Sequence, residues 1–179
     1  MKDTRVPEEP WSHPLVLADL PPEGAAFTLA PDEATRAALA RHVGVLGVPA
    51  LTAELRATPD GRGGVSIDGG LAATVRQTCV VSLEPFDNAV NEQIALRFLP
   101  EGAAVAARDE DEDDSDPVDM IHGGVIDLGA LVTEFLALGV DPYPRRPGAV
   151  FAPPADPAEE RASPFAALEQ LKRKGGQGD

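Results

Sequence analysis

A chain of 179 residues, 43% of them apolar, is long enough for one domain with a buried core. Aromatics are only 4%, so Leu, Val, Ile and Ala must fill that core. A formal net charge of −15 excludes bulk attraction to nucleic acid, which needs Lys and Arg facing phosphates; it suits a basic partner or plain solubility.

Met1 to Pro10 is charged and proline-broken, with no apolar core of a secretory signal. No window approaches the roughly 18 apolar residues of a membrane span, so the expected compartment is the cytoplasm, with no membrane contact. Leu15-Val16-Leu17-Ala18 and Phe27-Thr28-Leu29-Ala30 read as two short strands around a turn at Pro21-Pro22-Glu23-Gly24. Pro31-Asp32-Glu33 then opens a helix from about Asp32 to Val45, with acids at the positive end of its dipole. Leu39, Val43 and Leu46 form its apolar stripe, and Gly44, Gly47 and Pro49 stop it.

Leu51, Ala53, Leu55 and Ala57 alternate with Thr52, Glu54, Arg56 and Thr58, the period of a half-buried strand. Pro59 to Gly64 reads as a hairpin loop, followed by a return strand from Val65 that bends at Asp68-Gly69-Gly70. Strand character resumes from Leu71 to Leu83. A turn at Glu84-Pro85 leads to a run from Phe86 to Phe98, with Val90, Glu92, Ile94, Leu96 and Phe98 on one face. The pattern predicts an antiparallel meander.

Between Pro100 and Asp119 nine acids face one base, Arg108, a net −8 within the total of −15. Charge this dense predicts a disordered acidic loop over about 101–119, read either as a solvated insertion or as a contact for a basic partner. Removing that −8 leaves −7, so the loop alone does not conceal a basic protein.

Order returns at Val125-Ile126-Asp127-Leu128, where Asp127 caps a helix to about Leu138. Leu128, Leu131, Val132, Phe135 and Leu138 are its expected buried stripe. Asp141-Pro142-Tyr143-Pro144-Arg145-Arg146-Pro147 is extended, because its prolines fix φ and preclude helix. A second proline-rich stretch, Pro153 to Pro157, tethers a short amphipathic helix over Pro164–Lys174. There Phe165, Leu168 and Leu171 share a face before Lys172-Arg173-Lys174. That helix reads either as a detachable docking element or as a passive tail.

The predicted fold class is α+β: an antiparallel meander sheet of about five or six strands with two main helices, a disordered acidic loop and a short C-terminal helix. A single domain is expected over 1–152, with tether and terminal helix over 153–179.

The sequence points to no catalytic residue, no metal ligand and no cofactor. Gly61-Arg62-Gly63-Gly64 leads into a strand, so it is a hairpin and not a phosphate loop. His13, His42 and His122 lie on unrelated elements without metal-ligand spacing. The lone Cys79 sits in an apolar strand pattern and is expected to be a buried, inert thiol. The contiguous acids lack the spacing and glycine of a calcium loop.

Three stretches taken in order resemble the YceD family of bacteria and plastids. They are Cys79-Val80-Val81-Ser82-Leu83-Glu84-Pro85; Ile126-Asp127-Leu128-Gly129 with Asp141-Pro142-Tyr143-Pro144; and Pro164-Phe165-Ala166-Ala167-Leu168-Glu169-Gln170-Leu171-Lys172. The resemblance covers roughly residues 50–174. It implies a non-enzymatic role in accumulating large-subunit ribosomal RNA, through synthesis, processing or stability. Many members carry Cys-x-x-Cys here, with a metal-binding label. This chain has Ser82 in place of the second cysteine, so metal binding is not carried over.

The expected partner is a basic ribosomal protein or assembly factor, with an indirect link to large-subunit ribosomal RNA. The alternative is a direct RNA-binding protein or an accessory to an RNA-processing enzyme. The candidate contacts are Tyr143, Arg145, Arg146, Phe165, Leu168 and Leu171. An exposed Tyr143 beside two arginines can stack on a base and pair with phosphates, whereas a packed Tyr143 with solvated arginines has no such use.

Overall fold

The computed structural model describes residues 10–61, 63–100 and 118–151. In chain order they form β1 (Pro14–Val16), a single 3₁₀ turn (Leu17–Asp19), β2 (Ala25–Leu29), α1 (Glu33–Val43), β3 (Gly47–Pro59), β4 (Val65–Thr78), β5 (Pro85–Pro100), β6 (Val118–Ile121), β7 (Val125–Asp127) and α2 (Leu128–Gly139). The fold is α+β, with two helices and a five-stranded sheet ordered β2-β3-β4-β5-β6 beside a two-stranded sheet of β1 and β7.

The period-two pattern of β3 is borne out: Leu51, Ala53, Leu55 and Ala57 are buried, and their alternates are exposed. Their partners Ala73, Leu71, Gly69 and Ile67 lie on the same face of β4. Val90, Ile94 and Phe98 continue that face on β5, with Glu92 and Leu96 half-buried between them. Both helices pack on this side, giving two layers around one core that includes Leu39, Ile67, Ile94, Leu128 and Leu136.

Several expectations are corrected. The sheet is not wholly antiparallel, because β5 and β6 run parallel with Arg97 opposite Val118 and Phe98 opposite Asp119. Parallel neighbours need a crossover of about a dozen residues or more, and the connection 101–117 supplies that length. Asp119 is therefore in a strand and not in an irregular loop. The rest of the acidic stretch, the tether and the terminal helix with Phe165, Leu168 and Leu171 lie outside the described residues.

Of the two N-terminal strands, β1 joins β7 and β2 joins β3. Asp32 caps α1 by accepting from the Thr35 amide, but the helix ends at Gly44, which leaves Leu46 exposed. On α2 Leu128, Leu131 and Val132 are buried and Phe135 is half-buried, but Leu138 is exposed and Leu136 takes the core position. Two residues apart on a helix means about 200° of rotation, so only one of Leu136 and Leu138 can face the sheet.

β4 passes unbroken through Asp68-Gly69-Gly70. Gly69 has φ +149°, and a Cβ there would collide with the Glu54 carbonyl oxygen on β3. Gly69→Ala is expected to destabilise the fold by about 1–3 kcal/mol, the usual cost of holding an L-residue in glycine-only backbone space. Denaturant unfolding of the variant checks this.

Candidate functional site

The residues singled out in the sequence gather at the two ends of α2, about 18 Å apart for a helix of this length. Asp127, Leu128 and Gly129 stand at its N-terminus. Cys79, Leu83, Glu84 and Pro85 meet Pro142, Tyr143, Pro144 and Arg146 beyond its C-terminus.

At the first end Asp127 is an N-cap, as its position predicted. Its Oδ1 accepts from the amides of Gly129 (2.9 Å) and Ala130 (3.1 Å). The same carboxylate also accepts from the His13 amide (2.8 Å) and the Ser12 hydroxyl (2.5 Å), so it clamps the chain entering β1 onto α2. Gly129 permits that approach, because a Cβ there would lie 2.9 Å from the His13 nitrogen and the Trp11 oxygen. Ile126 and Leu128 on either side of the clamp are core residues. Burial pushes the Asp127 carboxyl upward, but donation from Ser12, His13, Ala130 and Gly129 outweighs it and holds the group below its ordinary value.

At the second end β4 stops at Thr78, so Cys79 is not in a strand. Val80 to Ser82 form a turn, and Leu83 takes a left-handed φ of 60°. The turn closes through Cys79 N–H to the Glu84 carbonyl (2.9 Å) and Leu83 N–H to the Cys79 carbonyl (2.9 Å). This places Cys79 Sγ where three backbone amides converge, from Val81, Ser82 and Arg146, each at 3.4 Å. Sulfur is a weak acceptor as a thiol and a far better one as a thiolate.

Cys79 is buried, as expected, with 0% of its surface exposed. It is not the inert apolar filler that its neighbours suggested. Its pKa is drawn from 9.0 to about 6 by the Ser82 side chain first and the Ser82 amide second. Burial opposes them, and the Arg146 and Val81 amides add to the lowering. The buried Ser82 hydroxyl lies beside the sulfur and has no hydrogen-bond partner among the described residues. Ser82, three residues after Cys79, gives the sulfur its backbone amide. Among the described residues no three His, Cys, Asp or Glu side chains come together as a metal set.

The segment after α2 is fastened across this junction. Gln77, buried, donates to the Asp141 carbonyl (2.8 Å) and accepts from Asn88 (3.3 Å). Val80 N–H donates to the Pro144 carbonyl (2.9 Å), and Arg146 pairs with Glu84 (2.9 Å). Asp141 turns its carboxylate back onto the Tyr143 amide (2.8 Å). Pro144 is buried, whereas Tyr143 is 73% exposed and Leu83 76% exposed. Arg145 is exposed and engages no described residue. An apolar side chain kept in αL and turned to solvent is strain without burial in return, a combination that marks contact surfaces.

A family model described as Large ribosomal RNA subunit accumulation protein YceD matches residues 67–172. The chain belongs to the YceD family. The match takes in both ends of α2 and leaves β1, β2, α1 and β3 outside it. No curated protein and no solved structure matches the chain. In this YceD chain the family's Ile-Asp-Leu-Gly run is two core residues flanking a clamp and a close approach. Its Cys, Leu-Glu-Pro and Asp-Pro-x-Pro positions form a single junction. Sequence reasoning missed Ser12, His13 and Gln77, whose partners lie far along the chain. A short polar residue ahead of β1 and a glutamine at an inward strand position were the available signals.

Asp127→Ala is expected to cost about 2 kcal/mol, the upper end for a lost cap, since further donors lose their acceptor too. Because the carboxyl lies below its ordinary value, its stabilising contribution is present at neutral pH and is lost only as acid protonates it in the fold. The Cys79 thiolate absorbance should titrate with a midpoint of about 6. Its contribution to stability therefore rises with pH from about 6 up to the range of the unfolded thiol, and is lost as pH falls through the lower value. Cys79→Ala should lower the melting temperature by several degrees and flatten that dependence.

Proposed function

We propose that this chain is a non-catalytic factor that supports the synthesis, processing or stability of large-subunit ribosomal RNA by binding a basic protein partner. Membership of a family described by large ribosomal RNA accumulation supports the first half of this reading. No helix among the described residues is long and apolar enough to cross a membrane.

The partner's chemistry rests on how the cations are used. Arg76 pairs with Asp87, Arg97 with Asp60 and Arg146 with Glu84. Arg36 and Arg56 donate to the carbonyls of Pro31 and Glu23. That leaves Arg41 and Arg145 unengaged among the described residues, against free carboxylates on Glu54, Asp68, Glu92, Asp119 and Glu134. A nucleic-acid groove needs the opposite balance, a run of unpaired cations tracking phosphates. Five of the seven described arginines are instead bound within the fold, and this observation carries the protein-partner reading.

A second reading has one observation in its favour. Tyr143 and Arg145 are both exposed on the junction, where a ring can stack on a base and a guanidinium can meet a phosphate. Nuclease treatment separates the two: a basic protein that stays bound after RNA digestion supports the first, and loss of all bound material supports the second.

A strain lacking the protein is expected to show depleted large-subunit ribosomal RNA or accumulated precursors. Wild type should restore it. Tyr143→Ala with Arg145→Ala should fold with unchanged melting temperature yet restore it poorly, since neither side chain is packed. Normal ribosomal RNA in the deletion strain would count against the function. Full rescue by the double variant would remove the junction from it.

A further inference from the structure

A groove of about 490 Å³ runs between the outer side of α2 and β6. Met120, Val125, Leu131 and Ala137 supply its apolar surface, and Met120 and Val125 are exposed there. Asp119 and Glu134 stand on its walls without an ion-pair partner among the described residues. His42 and His122 are its other ring-bearing polar residues, and no lysine or arginine among the described residues lines it. Asp127 also reaches it but is committed to the clamp.

Such a groove fits a short segment with an apolar stripe and a basic end. The chain contains one. Phe165, Leu168 and Leu171 recur at i, i+3 and i+6, the stripe spacing of a helix, and Lys172-Arg173-Lys174 follows at once. That run is the densest basic stretch of a chain whose net charge is −15.

We propose that the groove between α2 and β6 is the docking site of the chain's own segment Pro164–Lys174. The stripe seats on Met120, Val125 and Ala137, and the basic run meets Glu134 and Asp119. Reach is not limiting. Residues 152–163 span up to roughly 40 Å when extended, against a radius of gyration of about 13 Å for a domain of this size.

Affinity is not limiting either, because a flexible tether gives an effective concentration in the mM range, so a contact with a Kd of about 1 mM in trans is roughly half-formed in cis. The matched family region, residues 67–172, includes both the groove and the stripe. The inference does not depend on the ribosomal role and survives if that role fails.

The test compares amide resonances of the full-length protein with those of full-length Leu168→Asp and Glu134→Lys. Glu134 is exposed on α2. Docking predicts that Leu168→Asp shifts the amides of Met120, Glu134 and Ala137, and that added salt moves them the same way as the ion pairs are screened. Glu134→Lys should release the segment, and combining it with Lys172→Glu and Arg173→Glu should restore the docked shifts. Changes confined to residues 152–179 would overturn the proposal. So would changes that fall on the Tyr143–Arg145 face, or that grow with protein concentration, the mark of docking between copies.

Discussion

The sulfur of Cys79 accepts from amides of two segments far apart in the chain, which the Val80–Pro144 hydrogen bond and the Arg146–Glu84 ion pair also join. One is the turn after β4, where the ladder has ended and the backbone must find new acceptors. The other is the proline-rich stretch after α2, in which Pro142, Pro144 and Pro147 have no N–H to give. Its remaining donors are placed with care for geometry: Tyr143 on Asp141, Arg146 on Cys79, Ala149 on the Arg146 carbonyl. An oxygen-bearing side chain could reach some of these amides. A large, buried sulfur reaches all of them from one point, and each donor in turn favours its charged form.

α2 is a strut held at both ends. Asp127 ties its start to β1, and Gln77, Val80 and Cys79 tie the chain beyond its end to β4 and the following turn. Between them Leu128, Val132 and Leu136 bury against the sheet. What projects from this frame is small: Leu83 on its strained turn, Tyr143, and Arg145. Rigid backbone beneath exposed side chains lowers the entropy a partner must overcome on binding.

Elements whose cause is local were readable in the sequence. The alternation of Leu51 to Ala57, the inward face of β5 from Val90 to Phe98, and the caps at Asp32 and Asp127 each follow from residues within a few positions of one another. What was not readable depends on partners far away. Val80 and Val81 next to Cys79 look like strand, yet they turn, because the sulfur answers to Arg146, 67 residues on. The carboxylate of Asp127 reads as a cap, but its bond to Ser12 spans 115 residues. Charge density around Asp119 suggested irregular chain, and pairing with Phe98 on a neighbouring strand overrides it. Leu138 was misplaced because helical spacing alone admits two adjacent stripes, and packing on the sheet chose the one with Leu136.

The most direct measurement is amide hydrogen exchange at Val81, Ser82 and Arg146, expressed as protection and followed against pH. One thiolate shared by two segments requires that the three be protected together at neutral pH, and that they lose protection together as pH falls through about 6. An Arg146 amide that exchanges freely at neutral pH while Val81 and Ser82 stay protected would contradict it. The turn would then stand alone, and the proline-rich segment would not be held by the sulfur.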